Sequence, residues 1–231
     1  YQSTRLSLHN HKIKYIQNTS NKKNKKSAIF FDRDGVLIDD VHYISNPVDV
    51  KILSGVRDFL RISNSAGWLN IVITNQSGIS KGFLNWDDYE EITYKMIKLL
   101  GDDCQIDAIY ANSTPPNLEF SENNWRKPSP NMIFEAMNDF NININSSFIV
   151  GDRLTDLLCA KNAGLKNFIH VLTGHGKRER KNILNVFSKS YENHELLILN
   201  NLSEFKSLNY ADNKFIKLNF DNDFLQILNK S

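Results

Sequence analysis

At 231 residues, with 41% hydrophobic and 23% charged, the chain is long enough to bury a core and has the composition of an ordinary globular protein. A formal net charge of +2 gives no footing for nucleic acid or a membrane surface as a partner. The cysteines, Cys104 and Cys159, lie far apart in no metal or redox spacing, which excludes a disulfide framework and fits a reducing cytoplasm.

Residues 1–27 are polar and rich in Asn and Lys, and they read as a disordered or linker arm. The stretch opens on Tyr1, as if trimmed or cut from something longer, and holds no apolar run of the secretory-signal kind. No segment approaches the roughly 18 apolar residues of a membrane span. From Ala28 the pattern changes. "AIFF", "NIVIT" (Asn70 to Thr74), "IDAIY" (Ile106 to Tyr110), "SFIV" (Ser147 to Val150) and "NFIHV" (Asn167 to Val171) are short and nearly all apolar. Such runs suit strands covered on both faces, as in a parallel sheet.

Helical periods lie between them. Val56, Phe59, Leu60 and Ser63 share a face that stops at Gly67. Tyr89, Ile92, Thr93, Met96 and Leu100 share another, with Asp87 and Glu90 spaced like a capping box. "SPNMIFEAMNDF" offers Ser129 as N-cap and Pro130 at the first helical position. "TDLLCAKNAG" ends on Gly164, a good helix stop. After Val171, "TGHGKRER" reads as a basic loop and "ELLILNNLSEF" as a last strand and short helix. Strands alternating with helices predict a doubly wound α/β domain over residues 28–208. Residues 209–231 are an extension of unknown role.

In such a sheet, ligands sit beyond the carboxyl ends of the strands. Asp32 and Asp34 stand there after the first run. Residues i and i+2 of an extended chain share a face, and Gly35 then frees the backbone to turn. Two carboxylates this close favour one being protonated, unless a cation joins them, which leaves one to attack and one to donate a proton. A calcium loop would need an acidic residue where Tyr43 stands. "TNQSGISKG" brings the Thr74 hydroxyl to the same edge, with Gly78 and Gly82 for backbone approach to an anion. "WRKPSP" sets Arg126 and Lys127 before a helix start, where anions are favoured. "GDRLTDL" adds Asp152 at another strand end, with Asp156 beyond it. A third carboxylate at one edge calls for a hard divalent ion, of which Mg²⁺ is the economical choice.

The order D-x-D-G, T-N, R-K-P, G-D-x-x-x-D resembles the haloacid dehalogenase superfamily of phosphohydrolases over roughly Ala28 to Leu208. The resemblance implies a Rossmann-like fold of that type, with Asp32 the nucleophile that forms an aspartyl-phosphate. Asp34 would be the general acid and base, and Thr74 and Lys127 would hold the phosphoryl group. Mg²⁺ would sit on Asp32, Asp152 and the backbone carbonyl of Asp34. More finely, "DRDGVLIDDVHYI", "ITNQSGISKG", "RKPSPNM" and "VGDRLTDL" are similar to the heptose-bisphosphate phosphatase family, kin of histidinol phosphatases. That likeness implies no large cap domain, only a flap over Asp40 to Pro47. It sets Asp40, His42, Tyr43, Asn75, Gln76, Ser77, Arg126 and Arg153 toward a small phosphorylated sugar. It also implies a cytoplasmic place in lipopolysaccharide-precursor synthesis, with neither nucleic acid nor membrane as partner and room for a pathway partner domain or subunit. Many such enzymes carry a zinc loop before R-K-P, and this chain has Asn112, Thr114, Asn123 and Trp125 there. Structural zinc is therefore not expected, and the loop is expected to hold its shape by packing on Trp125 and Phe120. A histidinol-phosphate phosphatase, a nucleic-acid 3′-phosphatase and a non-catalytic phosphosugar-binding or scaffolding module are the alternatives. "TGHGKRER" is no phosphate-binding P-loop, because Arg178 stands where Ser or Thr is required.

Overall fold

The computed structural model describes residues 4–7, 11–17, 24–116, 123–188 and 194–207. Its strands are β1 (Thr4–Ser7), β2 (Lys12–Ile16), β3 (Ala28–Phe31), β4 (Leu69–Asn75), β5 (Ala108–Asn112), β6 (Phe148–Gly151), β7 (Asn167–Val171) and β8 (Glu195–Leu199). They form one sheet in the order β1-β2-β5-β4-β3-β6-β7-β8. All pairs from β5 to β8 are parallel, and β1 and β2 add to β5 antiparallel.

The near-continuous apolarity of the central strands has the expected cause. Ile29 and Phe31 face a core with Val56, Phe59 and Leu60 of α1 (Val56–Ser65) and, beyond the single turn of α2 (Ser77–Ser80), Tyr89, Ile92 and Met96 of α3 (Trp86–Leu100). Ala28 and Phe30 face the other core. That core contains Met132, Ile133 and Ala136 of α4 (Asn131–Asp139), Leu157 and Ala160 of α5 (Leu154–Asn162), and Ile183 and Phe187 of α6 (Gly176–Phe187). Alternation splits each run between two helical layers, so no position can be polar without cost.

Local details shift. Asn85, not Asp87, caps α3, and its capping box closes with Asp88 rather than Glu90. Pro130 takes the cap position of α4, while Ser129 Oγ accepts the Asn131 N–H at 3.4 Å. "TGHGKRER" is not a loop throughout: from Gly176 it is the first turn and more of α6, packed through Ile183 and Phe187. Glu195–Leu199 is a strand, and Leu202–Ser207 is a 3₁₀ turn packed on α1 through Phe205. Residues 208–231 and Phe120 lie outside the described residues.

The largest correction is at the N-terminus, where part of the expected arm belongs to the sheet. Each residue from Lys12 to Ile16 registers with β5, Lys12 opposite Asn112 and Ile16 opposite Ala108. Ile13 and Ile16 are buried, and so is Lys14. The Lys14 ammonium lies 2.6 Å from Glu135 and 3.0 Å from Asp139, both on α4. Burial would lower its pKa, but those carboxylates outweigh burial and raise it. A neutralised charge on an aliphatic stem thus does the work of an apolar residue.

Candidate active site

β3 ends at Phe31, and the chain turns at once. Gly35 takes φ +83°, and the amides of Leu37 and Ile38 fold back onto the Arg33 carbonyl. The flap that follows is pinned by a bridge between Ile38 and Ile52 and a 3₁₀ turn at Pro47–Asp49. Among the described residues, no cap domain interrupts the path to β4.

Asp32 is 7% exposed, and its Oδ1 accepts the Arg33 amide at 2.7 Å. Lys127 Nζ lies 3.0 Å from that oxygen and 2.7 Å from Asp156 Oδ1, and donates an aligned hydrogen bond to the Ile73 carbonyl at 3.0 Å. The carboxylate contacts are short but poorly aligned, so they act as ion pairs. Burial pushes the Asp32 carboxyl up to about 6, against the pull of Lys127; Asp156 and Asp34 add to the rise. Burial alone would lower the Lys127 ammonium, but Asp156 and Asp32 outweigh it and raise it. The lysine is thus held in its charged form, and the Asp32 carboxyl is raised toward neutrality.

Asp34 is held by neighbours of its own. The Arg33 guanidinium grips both its oxygens at 3.0–3.2 Å, and Gln76 Nε2 donates to Oδ2 at 2.7 Å. Arg33 itself is 1% exposed and lies 4.9 Å from the Tyr89 ring centre. Sequence reasoning passed over this arginine, because neighbours in an extended strand point apart; the turn at Asp32 brings them together. Thr74 is fully buried, and its hydroxyl accepts Gln76 Nε2 at 2.9 Å. It therefore stands behind Gln76 rather than on the cleft wall. Asn75 accepts the Lys127 amide at 3.1 Å and so sets the height of the lysine.

Asp152 follows β6 and has no exposed surface. Its Oδ2 accepts the His175 amide at 2.7 Å, while Oδ1 is buried without a partner. Burial pushes its carboxyl up to about 9, with Asp156 and then Asp32 adding to the rise. A Cβ on Gly35 or Gly174 would come within 2.6 or 2.4 Å of Asp152 Oδ2, so both must be glycine. Oxygens of Asp32, Asp152 and Asp156 all lie within 4.8 Å of one another. An orphaned carboxylate oxygen amid hard donors fits a divalent cation. Asp156 is the least available, since its oxygens already meet Lys127 and the Arg153 amide.

Above these groups lies a cleft of 370 Å³, lined by Asp40, His42, Tyr43, Asn75, Gln76, Ser77, Arg126 and Arg153 among others. The structure thus brings together all the expected rim residues. Tyr43 closes on the Gly78 backbone, where a Cβ would meet its ring at 2.7 Å. Arg126 Nη1 donates to the Thr114 carbonyl at 2.9 Å. Burial lowers its pKa, and repulsion from Arg153 lowers it further. Trp125 packs edge-on to Tyr110 with ring centres 5.8 Å apart, and Asn124 ties the loop to Ser129 and Asn131. The loop is therefore shaped by an asparagine network as well as by the expected Trp125.

This arrangement defines a class: a doubly wound hydrolase with a carboxylate and lysine centre under a phosphate-sized cleft. A family model described as HAD-hydrolase-like matches residues 124–204. The D-glycero-beta-D-manno-heptose-1,7-bisphosphate 7-phosphatase of Pasteurella multocida is 34% identical over 168 residues, covering 69% of this chain and 91% of that protein. The Helicobacter pylori enzyme of the same name is 35% identical over 148 residues, covering 62% of this chain and 83% of that protein. The D,D-heptose 1,7-bisphosphate phosphatase of B. bronchiseptica, solved with magnesium and phosphate, superposes with a TM-score of 0.66 at 26% identity, covering 77% of this chain and 94% of that one. The chain belongs to this phosphatase family within the haloacid dehalogenase-like hydrolases, and is a phosphoric monoester hydrolase.

Proposed function

We propose that the chain removes the 7-phosphate of D-glycero-D-manno-heptose 1,7-bisphosphate in the cytoplasm, with Mg²⁺ as cofactor. The observation that supports this best is the pairing of a buried Asp32–Lys127–Asp156 centre with two rim guanidiniums, Arg126 and Arg153. One phosphate would lie over Lys127. A second anion between Arg126 and Arg153 would relieve their repulsion, and a guanidinium fork suits it.

Asp32 attacks phosphorus, forming an aspartyl-phosphate as the bond to the sugar oxygen breaks. Asp34, steered by Arg33 and Gln76, gives that oxygen its proton. Asp34 then takes a proton from water, whose attack on phosphorus breaks the acyl-phosphate bond and regenerates Asp32. Lys127 offsets the charge on the phosphoryl oxygens, and Gln76 carries the Thr74 hydroxyl's influence to the same place. Asp32, Asp152 and the Asp34 carbonyl would hold Mg²⁺, which when bound neutralises the repulsion between phosphate and carboxylate.

A phosphate-release screen over heptose bisphosphate, histidinol phosphate and 3′-phosphorylated DNA, with and without Mg²⁺, tests the proposal. The highest kcat/KM is expected on the bisphosphate. A preference for either other substrate would replace the substrate assignment, and no release from any would support the scaffolding alternative.

A further inference from the structure

We propose that His175 is a positioning residue that latches the substrate flap to the metal-side carboxylate. Neither the motifs nor the cleft chemistry singles it out. It sits in the loop Thr173–Gly174–His175, between β7 and α6, and this loop touches three parts of the site. Thr173 Oγ1 donates to the Gly35 carbonyl at 2.5 Å. The His175 amide donates to Asp152 Oδ2 at 2.7 Å. The His175 ring reaches across to the flap, with Nε2 2.9 Å from Asp40 Oδ2.

The ring chemistry is one-sided. Arg178, one turn into α6, lies against Nδ1. A carboxylate oxygen can only accept, so the ring meets Asp40 productively with a proton on Nε2. His175 and Asp40 are each about one-seventh exposed, at 14% of the side-chain surface. An imidazole nitrogen this close to a carboxylate oxygen, with both side chains largely shielded from water, ties the loop to the flap more firmly than an exposed pair would.

Asp40 needs the support. Its Oδ1 accepts the His42 amide at 3.2 Å. His42 and Tyr43 hold φ of 54° and 56°, in the left-handed region that side chains disfavour. The strained pair is therefore braced by Asp40, and Asp40 by His175. The His42 ring lies nearly parallel to that of His175, with centroids 6.4 Å apart. On the far side, Tyr43 rests on Phe83 and accepts a hydrogen bond from Lys81. The flap is thus fixed at two ends, and the His175 end shares a residue with the Asp152 contact. A flap so tied covers a large sugar phosphate more than a minimal ester.

This inference rests on the reading of the flap as substrate-facing, and its test separates the two. His175→Ala keeps the backbone N–H to Asp152 and removes only the ring; His175→Gln restores a donor. The first readout needs no substrate. Amide hydrogen exchange over Asp40 to Ile44 should quicken about tenfold in His175→Ala, the loss of one contact to a charged group, and largely recover in His175→Gln. The second readout is kinetic. The fall in kcat/KM on the best sugar phosphate should exceed that on p-nitrophenyl phosphate by about tenfold, and lie mainly in KM. Asp40→Asn should quicken the same amides, and combining it with His175→Ala should add little, because both remove one link. Unchanged flap exchange in folded His175→Ala, or equal losses on both esters, would overturn the latch. Should the wild type ignore heptose bisphosphate, the substrate assignment fails while the exchange result still decides the latch.

Discussion

The floor and the rim of the cleft are built on opposite terms. The floor residues Asp32, Lys127, Asp152 and Asp156 are all buried, and Lys127 meets two carboxylates and a carbonyl at once. Apart from buried Gln76, the rim residues are at least partly exposed, with contacts such as Arg126 to the Thr114 carbonyl, Arg153 to Asp40 and Tyr43 to Lys81. Buried charges are costly unless paired, so the floor must be assembled before any ligand arrives. The rim can wait for its partner. On the proposed function, reaction type would reside in the floor and substrate choice in the rim.

Asp32→Asn breaks the floor most completely. Turnover should fall at least about a hundredfold, because an amide is no nucleophile. The fold should persist and its stability hold or rise, since the substitution removes the charge whose burial is resisted. Phosphate release and thermal denaturation check both; activity above about a hundredth of wild type would remove Asp32 from its role.

Lys127→Met leaves Asp32 and Asp156 buried without their cation. A destabilisation of about 3–5 kcal/mol is expected near neutral pH. It should shrink in mild acid, where the carboxyls can take up protons instead. Denaturant melts at two pH values measure the difference, and an equal loss at both would mean that the lysine's charge is not what holds the floor.

The metal-free floor has a pH signature. Asp32 and Asp152 have pKa values raised from 3.8 to about 6 and about 9. The folded state thus holds their protons more tightly than the unfolded chain. That contribution is full below about 4 and is lost as pH rises through about 6 and then about 9. Metal-free protein should therefore lose melting temperature over that range. The gain on adding Mg²⁺ should grow with pH, and a pH-independent gain would argue that these carboxylates do not hold the ion.

The smallest effect belongs to the rim. Arg126→Ala should cut the preference for a sugar bisphosphate over its monophosphate about tenfold, chiefly through KM. An unchanged ratio would show that Arg126 serves only its bond to Thr114.

The floor was legible because its parts carry residue-type signals: apolar runs that stop on Asp32, Thr74 and Asp152, and a lysine before a helix start. What stayed hidden depends on groups every residue has, or on partners far away in sequence. The His175 contact to Asp152 is a backbone N–H, which no side chain advertises. Arg33 meets Asp34 only because the strand turns between them. Lys12–Ile16 reads as polar because its second lysine is neutralised by Glu135 and Asp139, more than a hundred residues on. The partial burial of Tyr15 and the ion pairs of Lys14 make sense of that strand only once α3 and α4 are in place.

The position of β2 has one more consequence. Without it, β5 would present a row of free amides and carbonyls along a buried-face strand of five residues. Such an open border is a template for another copy of the chain, and proteins usually guard it. Here the guard is a two-stranded cover whose inner member carries Lys14, paired with Glu135 and Asp139 of this molecule's own α4. Cutting the chain just before Ala28 would therefore do more than shorten it. It would uncover the border and leave Glu135 and Asp139 without the Lys14 cation, exposing an edge that invites self-association.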